Sequence, residues 1–378
     1  MKIVGTIVEF NPLHNGHCYF IQQVKQQSKA DILVAVMSGS FTMRGELSVF
    51  DKFTKTKQAL QAGIDLVIEL PFCYSVQSAD LFAEFAVCSL LNAHVDEIWI
   101  GSENNDPALF EKAYAQWQKK ENQEHIKQLL KTGMSYKQAT HSVLGLPSND
   151  LLGFCYYKAL QKESPNVPLF TIQRLGSGYF DRIPNEFASA YAIRNDLRLM
   201  EKYCPSFVDR NTLLDANMLL PFIQYRLQSL TANEIKSIFF AEEGMERWIQ
   251  KNFSTAEFKM ALTNTASKRY TKSRIQRFLC YLLFNIHKEQ MKAVLSQKIH
   301  FIRVLGYNQT GLDYLKILKK KTVIYTNLKN KMNPVLDMEL KISSVLDVIY
   351  SRHLFMQEQR GPIFLDSSEK GLSKNLKI

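Results

Sequence analysis

The sequence predicts an α/β protein: a parallel, Rossmann-like sheet with helices on both faces, followed by a mostly helical C-terminal region. Three observations predict it. Short, nearly continuous apolar runs (KIVGTIVEF, ADILVAVMSG, DLVIELP, DEIWIGSE, PLFTIQR) recur through the first half, as strands covered on both faces require. Segments of helical spacing separate them, and strand–helix alternation builds a parallel sheet. Beyond Cys204–Pro205 the spacing is mostly helical, so the expected division is residues 1–204 for the sheet domain and 205–378 for the helical one.

The elements justify themselves in order. After KIVGTIVEF, the segment His17–Gln27 places Phe20, Ile21 and Val24 at helical spacing. After the second strand, Asp51 reads as an N-cap of DKFTKTKQAL, with Gly63 as its stop. DLVIELP is the third strand, DLFAEFAVCSLL a helix and DEIWIGSE the fourth strand. The stretch from about Pro107 to Leu144 is polar and helical, LLGFCYYKALQK is a further helix after the turn-like PSND, and PLFTIQR is the fifth strand. FASAYAIRNDLRLMEKY reads as one helix opening on small residues. In the second half, TKSRIQRFLCYLLFNI carries Ile275, Phe278, Leu279, Leu282, Leu283 and Ile286 on one stripe. KIHFIRVLGYNQTG, LDYLKILKKK and TVIYTNL suggest a small strand–helix–strand insert.

Composition narrows the class. Lys plus Arg number 47 against 36 for Asp plus Glu, a net charge of +11 that suits a polyanionic partner such as nucleic acid. The six cysteines are spread without a CxxC pair, which argues against a zinc module and a disulfide scaffold and for reduced thiols. MKIVGTIV is strand-like rather than a signal peptide, and FLCYLLFNI is too short to span a bilayer. A cytoplasmic chain is expected.

In an open parallel sheet, ligands bind outside the carboxyl ends of the strands. Here those ends read EFNPLHNGH, MSGSF, IELPF, IGSEN and QRLGSG, and four of the five carry glycine with polar or charged residues. The first is the most specific. Pro12 stiffens the exit from the strand, and Asn11 can cap the turn. Gly16 has no Cβ, so a phosphate can approach the backbone where free N–H groups and the helix dipole favour an anion. His14 and His17 lie about one turn apart and can point to the same side, as donors to charge developing on a phosphate. The competing reading is a structural pair or half of a metal site, although no His or Cys nearby completes a recognisable ligand set. Glu9 reads either as a ligand or as a buried, hydrogen-bonded acid. The G-x-G-x-x-G and Walker A patterns are absent, which disfavours nicotinamide-cofactor enzymes and P-loop NTPases.

HNGH after a first strand resembles the HxGH signature of the nucleotidylyltransferase superfamily, and ASAYAIR (Ala188–Arg194) resembles its second signature. Taken together, VEFNPLHNGH, VAVMSGSFTMRGE, GIDLVIELPF, GSEN, NDLLGFCYYKAL, QRLGSGYFD, ASAYAIR and KRYTKSRIQRFL resemble the bacterial tRNA(Met) cytidine acetate ligase family, in order and through most of the chain. The resemblance implies a ligase that activates acetate with ATP as acetyl-adenylate and transfers the acetyl group to N4 of the wobble cytidine of elongator tRNA(Met). It implies an ATP site from the first-strand loop (Ile7, Val8, Glu9, Phe10, Asn11, Pro12, Leu13, His14, Asn15, Gly16, His17 and Phe20), with Gly101, Asn149 and Arg174. Asp150 competes with Asn149, because PSND departs from an expected asparagine-rich site. His14 and His17 are the expected catalytic pair on the triphosphate, Arg174 and Arg194 hold phosphates, and Ser38 and Gly39 border the nucleotide. Mg²⁺ bridging phosphate oxygens is expected, with no protein ligand assigned.

Lys268, Arg269, Lys272, Arg274 and Arg277, with Tyr270, lie on or before the amphipathic helix and are expected to project outward as a phosphate-and-stacking surface for tRNA. Two other readings remain open at this level: an adenylyltransferase of a small cofactor precursor, and a non-catalytic RNA-binding protein on a relic nucleotide fold.

Overall fold

The structure, a computed structural model, describes residues 1–134, 136–146, 150–174, 187–253, 257–267, 269–329 and 333–366. Its sheet contains β1 (Ile3–Val8), β2 (Ile32–Ser38), β3 (Leu66–Leu70), β4 (Glu97–Ser102), β5 (Leu169–Gln173), β6 (Phe301–Asn308), β7 (Val323–Tyr325) and β8 (Ile363–Leu365). The order is β5-β4-β1-β2-β3-β6-β7, with β8 paired to β6. The first five strands are mutually parallel and β6 runs antiparallel to β3. Successive residues Leu33 to Met37 are all buried; since neighbouring side chains point to opposite faces, the central strand is covered on both.

The order explains where a ligand can sit. From β1 the chain winds one way to β2 and β3, then returns to the other side of β1 for β4 and β5. A crevice opens outside the carboxyl ends of β1 and β4, at this reversal.

Asp51 caps the Lys52–Gln61 helix by accepting from Phe53 N and Thr54 N, and Gly63 follows its end at φ +112°. Two segments differ from the sequence reading. FASAYAIRNDLRLMEKY is broken into Ala190–Asn195, a 3₁₀ turn Leu197–Leu199 and Met200–Tyr203. Asp196 leaves the helix in an extended conformation and its carboxylate caps the next turn at Arg198 N, so a side chain that competes with the helical backbone wins. The strand–helix–strand segment near residue 300 exists, but it is not an insert apart from the sheet: β6 pairs with β3 and extends it. Asp65 joins the two, accepting from Leu33 N (2.9 Å) and Asn308 Nδ2 (2.8 Å), while Gly311 lies so close that a Cβ would stand 2.0 Å from Asp65 O.

A buried charge cluster fastens the last helices to this sheet. Lys52 Nζ contacts Glu69 (2.7 Å), Glu339 (3.1 Å) and Glu358, and Arg303 pairs with Glu358 at 2.8 Å. Glu339 comes from the Pro334–Tyr350 helix and Glu358 from Leu354–Arg360. Three carboxylates face two cations. Burial, with the Glu339 carboxylate beside it, pushes the Glu69 carboxyl up to about 8. All six cysteines are free, and among the described residues no helix is long and apolar enough to cross a membrane.

Candidate active site

The crevice at the strand reversal is a cavity of about 500 Å³. Its floor is Ile7, Val8, Glu9, Phe10 and Asn11 from the end of β1, and His14, Gly16, His17, Tyr19 and Phe20 from the helix that follows. Gly101 and Glu103 enter from β4, Ile172, Gln173 and Arg174 from β5, and Phe187 to Ala190 with Arg194 from the following segment. Thr42, Arg44 and Glu46 close the remaining side.

The two histidines hold the start of the Asn15–Ser28 helix. His14 Nδ1 accepts from Gly16 N at 3.1 Å, and His17 Nδ1 accepts from His14 N at 3.3 Å. A ring nitrogen that accepts from a backbone N–H carries no proton, so in both rings the proton sits on Nε2. The rings lie 3.7 Å apart, with Phe10 edge-on to His17 at 5.0 Å. Burial, with the charges of Arg174 and then Arg194, draws His14 down to about 3. Burial, His14 and Arg174 draw His17 well below its ordinary value. Both imidazoles are therefore neutral, with fixed N–H donors beside two guanidinium groups. Gly16 has a local reason as well as the one read from the sequence: a Cβ there would meet His14 Cε1 at 2.9 Å, so only glycine allows the histidine to cap.

Arg174 leaves β5 with its backbone N donating to Ser102 O at 2.9 Å. Its side chain passes over Gly101, where a Cβ would meet Arg174 Cγ at 3.3 Å, so the glycine makes room for the arginine. Arg194 is anchored by donating from Nη1 to Asn11 O at 2.6 Å and by an ion pair to Glu46 at 3.2 Å. Asn11 Oδ1 accepts from Val49 N at 2.9 Å, whereas its buried Nδ2 has no hydrogen-bond partner among the described residues. Glu9 Oε1 accepts from Met43 N at 2.7 Å, and burial raises its carboxyl above the usual range.

Several expected site residues lie elsewhere. Pro12, Leu13 and Asn15 do not line the cavity; Leu13 is fully buried core, and Asn15 Nδ2 reaches Lys202 O at 3.4 Å. Asn149 lies outside the described residues. Asp150 is buried and accepts from Glu103 N (3.2 Å) and Asn104 Nδ2 (2.5 Å), which shapes the turn after β4 rather than the cavity wall. The carbonyls of Ser38 and Gly39 turn inward to accept from Lys55 Nζ, each at 2.9 Å. The residues from this loop that reach the cavity are Thr42, Arg44 and Glu46, polar residues around Gly45 in the turn of TMRGE.

The basic helix is Lys272–Leu283. Lys268 lies outside the described residues. Arg269 Nη2 donates to Glu243 O at 2.9 Å, Lys272 Nζ to Thr263 Oγ1 at 3.1 Å, and Arg274 pairs with Glu242 at 3.0 Å, all on exposed surface. Two expectations fail here. Tyr270 is 4% exposed with its hydroxyl donating to Glu243 O, so it offers no stacking face. Arg277 does not project outward; its Nε donates to Met43 O at 2.9 Å, because the loop after β2 covers that side of the helix.

The model of the HIGH Nucleotidyl Transferase family matches residues 1–360. The tRNA(Met) cytidine acetate ligase of Staphylococcus haemolyticus is 36% identical over 92% of this chain and 95% of its own length. The chain belongs to the tRNA(Met) cytidine acetate ligase family, within the HIGH nucleotidyl transferases. A further family member, from Halalkalibacterium halodurans, is 34% identical over 97% of this chain and 98% of its own. Among solved structures, Thermotoga maritima TmcAL in its apo form superimposes with a TM-score of 0.85 at 28% identity, covering 97% of this chain and 100% of that one. The same protein bound with alpha-thio ATP gives a TM-score of 0.82 at 29% identity. The parallel sheet with helices agrees with the strand–helix alternation, and the α/β nucleotidyltransferase fold agrees with what the HNGH and ASAYAIR resemblance implied.

Proposed function

We propose that this chain is an ATP-dependent tRNA(Met) cytidine acetate ligase acting in the cytoplasm, and that the cavity at the strand reversal is where ATP and acetate react. One observation carries the reading: two neutral, tautomer-fixed histidines and two arginines converge on a single cavity at the start of a helix. That arrangement suits a triphosphate, which needs oriented donors and compensating charge.

In the first step an acetate oxygen attacks the α-phosphorus and the bond to pyrophosphate breaks, giving acetyl-adenylate. Both reactants are anionic, so the protein's work is positioning and neutralisation. His14 and His17 donate from Nε2, and the arriving negative charge raises their proton affinity, so the bonds strengthen as phosphate charge builds. Arg174 and Arg194 supply the positive charge. Gly101 leaves room for the Arg174 side chain to lie beside the nucleotide. In the second step the cytidine amine takes the acetyl group and AMP leaves.

No carboxylate set among the described residues stands ready to hold Mg²⁺. Among the described residues, the carboxylates close enough together to share an ion are Glu69, Glu339 and Glu358, and Lys52 Nζ already sits among them. The cavity carboxylates Glu9, Glu46 and Glu103 do not form such a set; Glu9 is bound to Met43 N and Glu46 to Arg194. The nucleotide's own phosphates would carry the metal, and no step is assigned to it.

Incubation with ATP, labelled acetate and bulk tRNA tests the reading. Label in tRNA supports it. Transfer of AMP to a small acceptor would favour the cofactor-adenylylating alternative, and RNA retention without turnover would favour a binding protein.

The exposed residues Arg269, Lys272 and Arg274 are proposed to contact tRNA phosphates. Replacing all three by Ala is expected to weaken tRNA binding about tenfold or more at low salt and to flatten the slope of log affinity against log salt by roughly 2–3. Filter binding over a salt series checks this, and an unchanged slope would place the RNA surface elsewhere.

A further inference from the structure

The loop after β2 is a hairpin with two working faces. Phe41 and Leu47 bridge its ends; Thr42 N donates to Glu46 O at 2.9 Å, and Gly45 N to Thr42 O at 2.8 Å. Thr42, Arg44 and Glu46 line the cavity. The alternate positions face the basic helix: Arg277 Nε donates to Met43 O at 2.9 Å, and Cys280 Sγ to Gly45 O at 3.1 Å. Gly45 has φ +76°, and a Cβ there would stand 2.7 Å from Arg277 N, so only glycine permits this approach. The inner face is pinned as well, by Met43 N to Glu9 and by Glu46 to Arg194. The hairpin is therefore the shared wall between the cavity and the helix that carries the basic surface.

Arg44 and Glu46 flank Gly45 at the tip of this hairpin, and both line the same cavity. Cytosine presents an amine donor at N4 next to acceptors at N3 and O2. A carboxylate accepts from that amine, and a guanidinium donates to the two acceptors. Uracil reverses the first two positions, setting O4 against the carboxylate and N3–H against the guanidinium. Positive charge surrounds the approach: burial, with the neighbouring charges of Arg44 and Arg274, draws the Arg277 guanidinium down to about 10. Phosphates can thus be held outside the hairpin while a base is read within it.

We propose that Arg44 and Glu46 form the subsite that reads the target cytidine, Glu46 accepting from N4–H and Arg44 donating to N3 and O2. The assignment rests on the ligase reading and names the residues that choose its acceptor. Arg194 holds Glu46 Oε2, and Oε1 meets the amine. When N4 forms its bond to the acetyl carbonyl carbon, the carbon–oxygen bond to AMP breaks, its electron pair leaves on the phosphate oxygen, and one N4 proton passes to the Glu46 carboxylate.

The test uses Glu46→Gln, which keeps size and removes charge, with tRNA(Met) transcripts carrying cytidine or uridine at the target position. The wild-type protein is expected to bind the cytidine transcript about tenfold or more tighter than the uridine one. In Glu46→Gln that preference is expected to fall to within about threefold of unity. Acetyl transferred to tRNA per acetyl-adenylate formed is expected to drop at least about tenfold. Arg44→Gln is the second variant and is expected to lose the same preference, with circular dichroism confirming that each variant folds. A wild-type preference and transfer ratio in the folded variants would overturn the subsite while leaving the ligase reading intact. Wild-type protein that forms no acetyl-adenylate would overturn both.

Discussion

His14→Ala and His17→Ala are each expected to reduce acetyl-adenylate formation by roughly two to three orders of magnitude, the effect of removing an oriented donor from developing phosphate charge. The same substitutions should also loosen the start of the Asn15–Ser28 helix, since each ring accepts a backbone N–H there. Losing such a cap costs about 1 kcal/mol, too little to unfold the protein, so the activity loss should appear in folded material. Acetate-dependent exchange of labelled pyrophosphate into ATP measures the step. The pH profile adds a second readout. His14, drawn down to about 3, stays neutral through the physiological range, as does His17. The free protein's kcat/KM for ATP should therefore show no acid limb with a midpoint near the ordinary histidine value. Activity close to wild type in both variants would remove the pair from the mechanism.

Lys52→Met carries the largest expected effect on stability. Lys52 is 1% exposed and bonds three carboxylates. Removing one partner of a buried ionic cluster leaves uncompensated charge in the interior and costs about 3–5 kcal/mol. The loss should be felt most in the Pro334–Tyr350 and Leu354–Arg360 helices, because Glu339 and Glu358 attach them to the sheet through this lysine. Urea denaturation followed by circular dichroism measures the total. Hydrogen exchange should find protection lost first in those two helices. The exposed pair Lys316–Asp313 is the control: Lys316→Ala should leave the midpoint unchanged, since solvent screens it. A Lys52→Met protein as stable as wild type would show that the cluster does not fasten the C-terminal helices.

The strands of the first half were legible because each is a short apolar run covered on both faces, and the reading placed all five where they occur. Their order was not legible. Nothing local in KIHFIRVLGYNQTG says that it pairs antiparallel with β3, since that contact joins residues more than two hundred positions apart. The same limit governed the helix facing. Ile275, Phe278, Leu279 and Leu282 formed a readable stripe, but Arg277 is covered by a hairpin whose position depends on the whole sheet. Asp196 shows a local conflict decided the other way, a capping side chain ending a helix that the apolar spacing would continue.

The cavity was partly legible for the same reason. The loop after β1 carries its chemistry in adjacent residues, so His14, Gly16 and His17 could be singled out together, and their mutual capping became visible only in three dimensions. Thr42, Arg44 and Glu46 come from further along the loop after β2, where only Ser38 and Gly39 were expected to border the nucleotide. Their contribution depends on a hairpin that turns alternate residues inward, a geometry set by Gly45 against the basic helix.

The most direct test is a crystal structure of this protein with a non-hydrolysable ATP analogue. The account predicts triphosphate density within hydrogen-bonding distance of Nε2 of His14 and His17, beside Arg174 and Arg194. Well-ordered nucleotide bound away from that histidine-bearing turn would contradict it.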